Sequence, residues 1–484
     1  MEALVLRSFA AFALLAALSC KPAVAPLLPL FPMTSGPAVV IFVKSGAPPE
    51  VADGSEAHPF ASLSAALAKA PAGAVLRVGE GEFRGQLEIR RPVSLVGQGA
   101  GKTRLVFDGS GAAVEVRAER VKLSQLSILG GTSCISFHGG SGQELTGVEL
   151  SGATQQAILG KSAHLTIKGG LIHDLPEHAR GIDFDGGSLD ASGVSFRAAG
   201  RRAVTLHAAR GLFTDLDVRG PSLAAVQAIA GSEVRVVRGT FESLTGAALY
   251  AAGGSQLVVE DAVARRVEYG AMAFRGSTLV VRGGQFTDYG IAGIALINAH
   301  GSITGASIAR GGSEGAISIT HADGDLPVLV IDNRIQKPGP MGLHVTESAV
   351  TARGNSITGA RLDREHDMGD ALYAIDSQLV VENNVLRGNA GSGVAAVRSK
   401  VLITGNGFIE NGRAGVLMLD RSKGTASGNL FLRNVQAGVE FGEDGKADLA
   451  RNRFVDNLRC DVDHGPASAS GNARAEVRQP TCSP

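Results

Sequence analysis

The chain contains no Trp, only 4 Tyr and only 4 Cys in 484 residues. With no Trp and few Tyr, the aromatic platforms on which sugar rings usually stack in glycan clefts are scarce. Four cysteines are too few for the disulfide scaffold of a small secreted domain, and their spacing does not fit a zinc site. Lys plus Arg and Asp plus Glu number 46 each, so no overall field attracts nucleic acid or anionic membranes. We expect no nucleic-acid partner.

Glycine is abundant instead, with 65 residues, in a chain rich in Val, Leu, Ile and Ala. This composition suits many short strands joined by tight turns. A repeat is visible in the C-terminal third, where Asn406, Asn429 and Asn452 each follow an apolar strand at 23-residue intervals. Extending the register towards the N terminus gives corner positions back to Gln125, most of them Gly, Asn or Asp and most of them 22 to 24 residues apart.

Coils of this length are too short for a crossover through a helix, so successive coils must pair edge to edge as parallel strands. The sequence predicts an all-β, right-handed, single-stranded parallel β-helix of about fifteen coils. We name the strand before the corner strand two, the next strand three, and the following Gly-Val strand strand one. The corners are expected to be left-handed. One set of corner residues is predicted to stack as an amide ladder: Asn333, Asn355, Asn383, Asn406, Asn429 and Asn452.

This repeat resembles the pectin-lyase-like right-handed β-helix superfamily over roughly residues 75–475. An N-terminal stretch adds to the likeness, since Phe60, Leu63 and Leu67 define one apolar helical face, and the resemblance implies a short α-helix that caps the open coil. The resemblance implies a fold and no single activity, because the superfamily includes lyases, hydrolases, esterases, epimerases and proteins of no known chemistry. The chain lacks the Asn-Thr-Asp, Asp-Asp, Gly-His-Gly and Arg-Ile-Lys motifs of polygalacturonases and the Asp-Pro-His motif of mannuronan epimerases.

The first twenty residues have the pattern of an export signal, with an apolar run that ends at Ser19-Cys20. Ala17-Leu18-Ser19-Cys20 resembles a bacterial lipobox, in which Cys20 is lipidated; ordinary cleavage near Ala25 is the alternative. We expect an exported protein, lipid-anchored in the bacterial envelope or periplasm, or secreted, that meets the membrane only through this anchor. The predicted segments are a signal peptide (1–20), a linker (21–50), the N-terminal cap and first strands (51–97), the parallel β-helix (98–475) and a C-terminal tail (476–484).

Alternation along strand one separates inward from outward side chains. Cys134 is expected to be a buried small hydrophobe, and Cys460 and Cys482 could pair, which export would permit. The predicted outward column of strand one is Ser136, Leu159, Asp183, Thr205, Gln227, Tyr250, Ala273, Ala295, Ser318, His344, Tyr373, Ala395, Leu417 and Glu440. Most of these residues are chemically bland.

Two coils are longer than the rest, through insertions at 321–327 and 361–370 that we expect on opposite sides of strand one. Insertions in a solenoid often mark its binding face, so the sequence predicts a cleft floored by Ser318, His344 and Tyr373. His321 and Asp323 are expected to face Arg364 and His366 across it. A solvated surface loop is the plainer interpretation of each insertion.

The residue types suggest roles in acid–base chemistry. His344 or His366 could move a proton near neutral pH, with Tyr373 as the complementary acid. Arg364 or Arg361 could neutralise a uronic acid carboxylate, and Ser318, His321 and Glu365 could bind the same ligand. Oxygen ligands for Ca²⁺ could come from Asp323, Asp325, Asp363 and Asp367. These roles resemble uronate lyase and epimerase chemistry.

A second polar cluster, near His173, Asp183, Asp185 and His207, lies in coils of nearly normal length and is a weaker metal or ligand candidate. Three functions stay open. The first is a non-catalytic envelope rod that binds an acidic polysaccharide or an envelope protein. The second is a divergent polysaccharide lyase or uronate epimerase that acts in the 318–373 cleft. The third is a structural spacer.

Overall fold

The computed structural model describes residues 38–322, 324, 326–442, 444–463, 469–470 and 473–474. Contacts divide the chain between Ala38 and Val39, and the fold described below belongs to the unit that starts at Val39. This unit is a right-handed all-β solenoid of about 17 turns, in which every strand pairing is parallel. The predicted parallel β-helix is therefore confirmed. The count of about fifteen coils was low because the register was extended no further than Gln125, whereas parallel pairing begins at Val40–Val43.

Each turn contributes strands to three sheets. Strand one is formed by Leu87–Ile89, Ala112–Val116, Ser133–His138, Arg202–His207, Ala224–Ile229, Ala247–Ala252, Gly315–Thr320, Leu343–Thr346, Leu372–Ile375, Val394–Val397, Ala414–Leu419, Ala437–Phe441 and Cys460–Asp463. Strand two is formed by Val40–Val43, Ala74–Val78, Val93–Val96, Lys122–Ser124, Arg210–Thr214, Glu233–Val237, Gln256–Glu260, Thr278–Arg282, His300–Thr304, Val328–Ile331, Ala349–Arg353, Gln378–Glu382, Lys400–Thr404, Lys423–Ser427, Lys446–Ala450 and Ala469–Ser470.

Strand three is formed by Gly81–Arg84, Thr103–Phe107, Ser127–Gly130, Ser195–Ala199, Asp217–Arg219, Thr240–Glu242, Ser307–Ala309, Arg334–Gln336, Ser356–Thr358, Val385–Arg387, Gly407–Ile409, Leu430–Leu432, Arg453–Val455 and Ala473–Arg474. Five longer strands continue through a corner from one sheet into the next: Gln143–Ser151, Gln156–Leu175, Arg180–Ser192, Val263–Phe274 and Gln285–Ile297. The first strand, Val40–Val43, falls within the segment 21–50 that was predicted as a linker; it pairs with Ala74–Val78 in sheet two.

Short helices occur only near the start of the described chain. An α-helix spans Leu63–Lys69 and a 3₁₀ helix spans Pro49–Val51. The hydroxyl of Ser62 accepts a hydrogen bond from the Ala65 amide at 3.1 Å and so satisfies one free donor of the first helical turn. Leu63 is buried, and Leu67 packs half-buried against the same core. No helix among the described residues has the length and apolar character needed to cross a bilayer.

An amide ladder runs through the corner between strands two and three. Each Nδ2 group donates to the Oδ1 atom of the next coil at 2.9 to 3.1 Å. The ladder consists of Asn333, Asn355, Asn384, Asn406, Asn429 and Asn452. These side chains are at most 2% exposed, so the ladder pairs polar groups that would otherwise be costly to bury.

Two details of the predicted corner were wrong. The ladder uses Asn384 and not Asn383, because Asn383 has the left-handed φ of 53° that turns the chain into the corner. In neighbouring coils, too, the left-handed residue comes one position before the ladder amide, as at Gly405 with φ 69° and Gly428 with φ 64°. The conformational demand and the amide pairing therefore belong to adjacent residues.

Two further ladders were not predicted. Asn389, Asn411, Asn434 and Asn457 form a second chain of amides, each pair 3.0 Å apart, where strand three ends. At the corner between strands one and two, the hydroxyls of Ser348, Ser377, Ser399 and Ser422 each accept a hydrogen bond from the preceding coil's backbone. The signal for both sets was present in the sequence, since their members repeat with the same 22-to-29-residue spacing as the first ladder.

Of the cysteines, Cys134 is a buried free thiol, as expected. Cys460 is disulfide-bonded. The predicted pairing with Cys482 stays a prediction, because Cys482 lies outside the described residues, as does Cys20.

Candidate functional site

The outward column of strand one is laid out by the strand register. From Ser136 to Glu440 the cross-coil partners follow the predicted order at every position but one. That position is Met272, where Ala273 was predicted. Counted from Gly270 as Glu440 is counted from Gly438, the alternation makes Met272 the outward residue, and Ala273 points into the core.

His344 and Tyr373 lie side by side on this outward face. Their neighbours Leu343 and Leu372 point into the core, and the two rings are 6.0 Å apart between centroids with a tilt of 44°. Ser318, the next position in the column, is 3% exposed and lies between Ala295 and His344. The sequence therefore placed this floor correctly in orientation, and its chemical role stays a prediction.

Burial sets the protonation of both rings. Burial lowers the pKa of His344, so the imidazole is neutral at pH 7. Its Nε2 atom lies 3.2 Å from the Thr346 hydroxyl, while Nδ1 is buried and has no hydrogen-bond partner among the described residues. Burial raises the pKa of Tyr373, and the nearby Asp370 carboxyl raises it further, so the phenol stays protonated. The pair can thus offer a neutral imidazole and a neutral phenol.

Asp370 is the residue of this region that the sequence interpretation missed. It was assigned to the end of the 361–370 insertion and given no role, yet it is only 5% exposed. Its Oδ1 atom accepts a hydrogen bond from the Ser392 amide at 2.5 Å. Burial raises the pKa of this carboxyl to about 6, against the lowering effect of that bond. Its signal in the sequence was weak: a single acidic residue directly before the apolar strand Leu372–Ile375.

A charged pair flanks this carboxyl. The Arg413 guanidinium donates to Glu440 at 2.9 Å and lies 3.8 Å from Asp367 of the second insertion. Its attraction to Asp370 opposes the effect of burial on the pKa of that carboxyl. We call His344, Asp370, Tyr373, Arg413 and Glu440 the strand-one cluster.

An apolar patch completes the surroundings of the cluster. Ala395, Ala414 and Leu417 are buried on the outer side of strand one, with Tyr373 packed against them. The cluster therefore combines a neutral imidazole, a phenol, a carboxyl that titrates near pH 6 and a paired guanidinium beside an apolar surface.

The first insertion, 321–327, does not face this cluster. His321 lies 3.3 Å from Glu347, in the turn that follows strand one. Gly324 and Pro327 line a groove on the outer face of strand two. Asp323 and Asp325 lie outside the described residues. The expectation that both insertions converge over one cleft was therefore wrong. The reason is that extra residues placed after strand one follow the chain around the corner towards strand two.

The second insertion is closed on itself by a hairpin-like contact between Asp363 and Met368. The carboxylate of Asp363 accepts from the Glu365 amide at 3.0 Å and lies 2.9 Å from His366, which lowers its pKa and raises that of His366. Among the described residues, no hydrogen bond or ion pair connects Arg361, Arg364 or His366 to the first insertion. These residues share the loop but not the predicted partner across the strand.

Metal binding at the two insertions stays a prediction. Within the described part of the chain, no group of three or more His, Cys, Asp or Glu side chains is arranged to hold a metal ion. Asp363 is engaged by His366, and Asp367 approaches Arg413. Neither carboxylate is therefore joined to a larger set of oxygen ligands there.

The earlier polar cluster is divided between two faces. On strand one, Asp183 forms a close ion pair with Arg180 and lies 3.6 Å from His207. His173 lies on strand three, 2.8 Å from Glu149 and 2.7 Å from Asp174. His207 was expected to join Asp185, its register partner, and approaches Asp183 instead. These contacts satisfy one another and leave no assembled site.

Comparison with known proteins supports the fold. Residues 292–458 match the family model described as "Right handed beta helix region". The chain therefore carries a right-handed β-helix region over these residues. No match is found among the curated proteins.

Solved structures give distant likenesses. One is the A-module of the mannuronan C-5 epimerase AlgE6 from Azotobacter vinelandii, with 16% identity over 90% of this chain and 98% of that chain and a TM-score of 0.28. Another is the pectin methylesterase from carrot, with 13% identity over 58% and 84% and a TM-score of 0.29. A third is the alginate lyase from Paenibacillus sp. str. FPU-7, with 10% identity over 85% and 96% and a TM-score of 0.24. Likenesses at these TM-scores carry no argument about what this chain does.

Proposed function

We propose that this protein is a non-catalytic rod of the cell envelope that binds a carbohydrate chain at the strand-one cluster. The observation that carries the proposal is Asp370, a carboxyl that is 5% exposed beside the half-buried phenol of Tyr373. A buried acid whose pKa is raised to about 6 destabilises the fold at neutral pH. Such costs are concentrated at functional sites, which supports a ligand-binding role for this part of the face.

The chemistry of the cluster suits a sugar. The rings of His344 and Tyr373, each partly exposed on the outer face, can contact the apolar face of a pyranose. The Tyr373 hydroxyl makes no hydrogen bond to another described residue and is free to bond a sugar hydroxyl. Arg413 and Glu440 add a donor and an acceptor at the edge of this surface.

The test is binding of Tyr373→Ala to an array of acidic and neutral oligosaccharides. We expect a loss of at least tenfold in affinity for the glycans that the unaltered protein retains. Tyr250→Ala is the matched control, because Tyr250 occupies the same outward column several coils away. Equal binding by both variants, or equal loss in both, would contradict a site at Tyr373.

Catalysis is the second candidate, with Asp370 as the specific observation in its favour. A carboxyl whose pKa is raised to about 6 is suited to abstract a proton near neutral pH, and its charge raises the pKa of the nearby Tyr373 phenol. The candidate reaction is that of a lyase or epimerase on an acidic polysaccharide. A screen that follows the absorbance of unsaturated products, with and without Ca²⁺, decides between the two: product formation that Asp370→Asn abolishes would replace the binding proposal.

Export and lipid anchoring through Cys20 complete the proposal. The apolar run before Cys20 supports them, and so does the disulfide of Cys460, because disulfides persist in oxidising compartments. Cys20→Ala is expected to move the protein from the membrane fraction to the soluble fraction. Identical fractionation of the variant and the unaltered protein would rule out the anchor.

The helix Leu63–Lys69 is proposed to cap the N-terminal end of the core. Its support is the burial of Leu63 and Ala66 against the first coils. Leu63→Asp is expected to expose that end and to increase aggregation, measured by light scattering, because unprotected strand edges associate.

A further inference from the structure

The outer face of strand two carries a column of lysines that the strand-one cluster does not involve. The register aligns Lys400, Lys423 and Lys446 as direct cross-coil partners, so their backbones are about 4.8 Å apart along the solenoid axis. All three side chains are exposed. In the described part of the chain, no carboxylate lies within ion-pair distance of any of these ammonium groups.

Other positions of this column, and of strand three, carry cross-coil ion pairs instead. Further towards the N terminus, the same column contains Arg210 and Glu233, which pair at 3.1 Å. On strand three, Arg387 and Arg433 both pair with Glu410 across the coils. Opposite charges face each other across the coils at these positions, whereas Lys400, Lys423 and Lys446 stack three like charges, which costs free energy unless an anion is bound.

Lys400 and Lys423 border a groove of about 680 Å³, and Lys446 continues the column in the next coil. Its floor is a second register column: Thr351, Val380, Leu402 and Thr425. Leu402 is 42% exposed, which makes it one of the more exposed large apolar side chains of the solenoid. Gly324 and Pro327 of the first insertion also line the groove, and Pro327 lies towards the N-terminal end of the column that contains the lysines. The first insertion, which was predicted to border a cleft on strand one, therefore lines this groove on strand two.

We propose that this groove binds an unbranched acidic polysaccharide that lies along the solenoid axis. Three cations at one-coil spacing match a polymer that presents an anionic group at each successive sugar, because one coil is comparable in length with one pyranose unit. Val380 and Leu402 offer an apolar strip for ring faces, and the hydroxyls of Thr351 and Thr425 can bond sugar hydroxyls. The groove residues include no aromatic ring on which nucleobases could stack. Asp448 follows Thr425 in the floor column, so the apolar and hydroxyl-bearing part of that column ends at Thr425.

The proposal is independent of the strand-one cluster, which lies on another sheet. The test measures binding of polygalacturonate, alginate and neutral dextran to the full chain by affinity electrophoresis at low and at high salt. The triple variant Lys400→Gln, Lys423→Gln, Lys446→Gln is expected to bind the two polyuronates at least tenfold more weakly and with a smaller dependence on salt. Dextran is expected not to be retained in either case.

The matched control removes the same charge elsewhere, by Lys44→Gln, Lys69→Gln and Lys161→Gln, at three exposed lysines outside the groove. It is expected to bind as the unaltered protein does. Equal weakening in both triple variants would mean that net charge alone attracts the polymer, and would overturn the groove. Retention of single-stranded DNA or anionic vesicles, lost in the groove variant while polyuronates are never retained, would overturn the polysaccharide assignment. Loss of binding in Tyr373→Ala with normal binding in the groove variant would leave the strand-one site standing and refute this one.

Discussion

Replacing Asp370 with Asn tests whether the buried carboxyl is maintained at a cost to the fold. The substitution keeps the side-chain shape and an oxygen that can accept the Ser392 amide, which lies 2.5 Å from Oδ1. It removes only the ability to ionise. The difference in stability between the variant and the unaltered protein should therefore depend on pH in a way that this one carboxyl determines.

The sign follows from the direction of the pKa shift. Folding raises the pKa of Asp370 from 3.8 to about 6, so between these values the folded state binds more protons than the unfolded state. The free energy of unfolding then falls as pH rises through this window and is level above it and below it. A shift of about two units corresponds to about 3 kcal/mol. Between roughly pH 3.5 and pH 7.5, the free energy of unfolding of Asp370→Asn should therefore rise by about 3 kcal/mol relative to that of the unaltered protein.

The assay is denaturant unfolding of both proteins at several pH values, with amide exchange at Ser392 as a local measure. Taking the difference at two pH values cancels any cost of the substitution that does not depend on ionisation. Asp376→Asn is the control with the opposite sign, because the exposed Asp376 pairs with Arg398 and has a lowered pKa. A difference between Asp370→Asn and the unaltered protein that is constant with pH would refute the burial argument.

Three further outcomes are expected. Asn406→Leu should lower the free energy of unfolding by about 3 kcal/mol, because it leaves buried amide partners in two neighbouring coils unpaired; unchanged denaturant midpoints would contradict the ladder. Gly301→Ala should destabilise the fold strongly, because its new Cβ would lie 1.8 Å from the Leu279 carbonyl oxygen. Gly276→Ala, whose Cβ would meet nothing within 4 Å, should cost about 1 kcal/mol, and similar melting temperatures for the two variants would contradict this contrast. The thiol of Cys134, buried and with its pKa raised to about 12, should resist iodoacetamide at neutral pH until the solenoid unfolds, as mass spectrometry can show.

The fold was predictable because the repeat imposes the same local choice many times. One corner such as Asn429 carries little information, but its recurrence at a fixed interval separates a solenoid from other β architectures. The errors occurred where that periodicity was locally ambiguous. Asn383 and Asn384 are adjacent and chemically identical, and only backbone conformation assigns one to the left-handed turn and the other to the ladder.

The site was predicted less well, for a related reason. Alternation determined that His344 and Tyr373 point outward, since the period of a strand is fixed by its backbone. Insertions have no such period, so their course had to be assumed, and the 321–327 segment instead borders the strand-two groove. Asp370 was missed because burial of a residue that ends a loop depends on contacts with Ser392 in the next coil, which no local pattern reports.

The ladders have a consequence for how this architecture can change in length. Every member makes the same bonds to the coil before it and the coil after it, so the coils are interchangeable modules. Removing one whole module would bring Asn384 beside Asn429 and Asn389 beside Asn434, and each pair could re-form the lost bond. A single added residue at a corner would instead shift two ladders out of step. The 321–327 and 361–370 segments accordingly place their extra residues at the ends of strand one, away from the Asn333 and Asn355 corner. The solenoid can lengthen by duplication and diversify at its turns without disturbing its hydrogen-bonded spine.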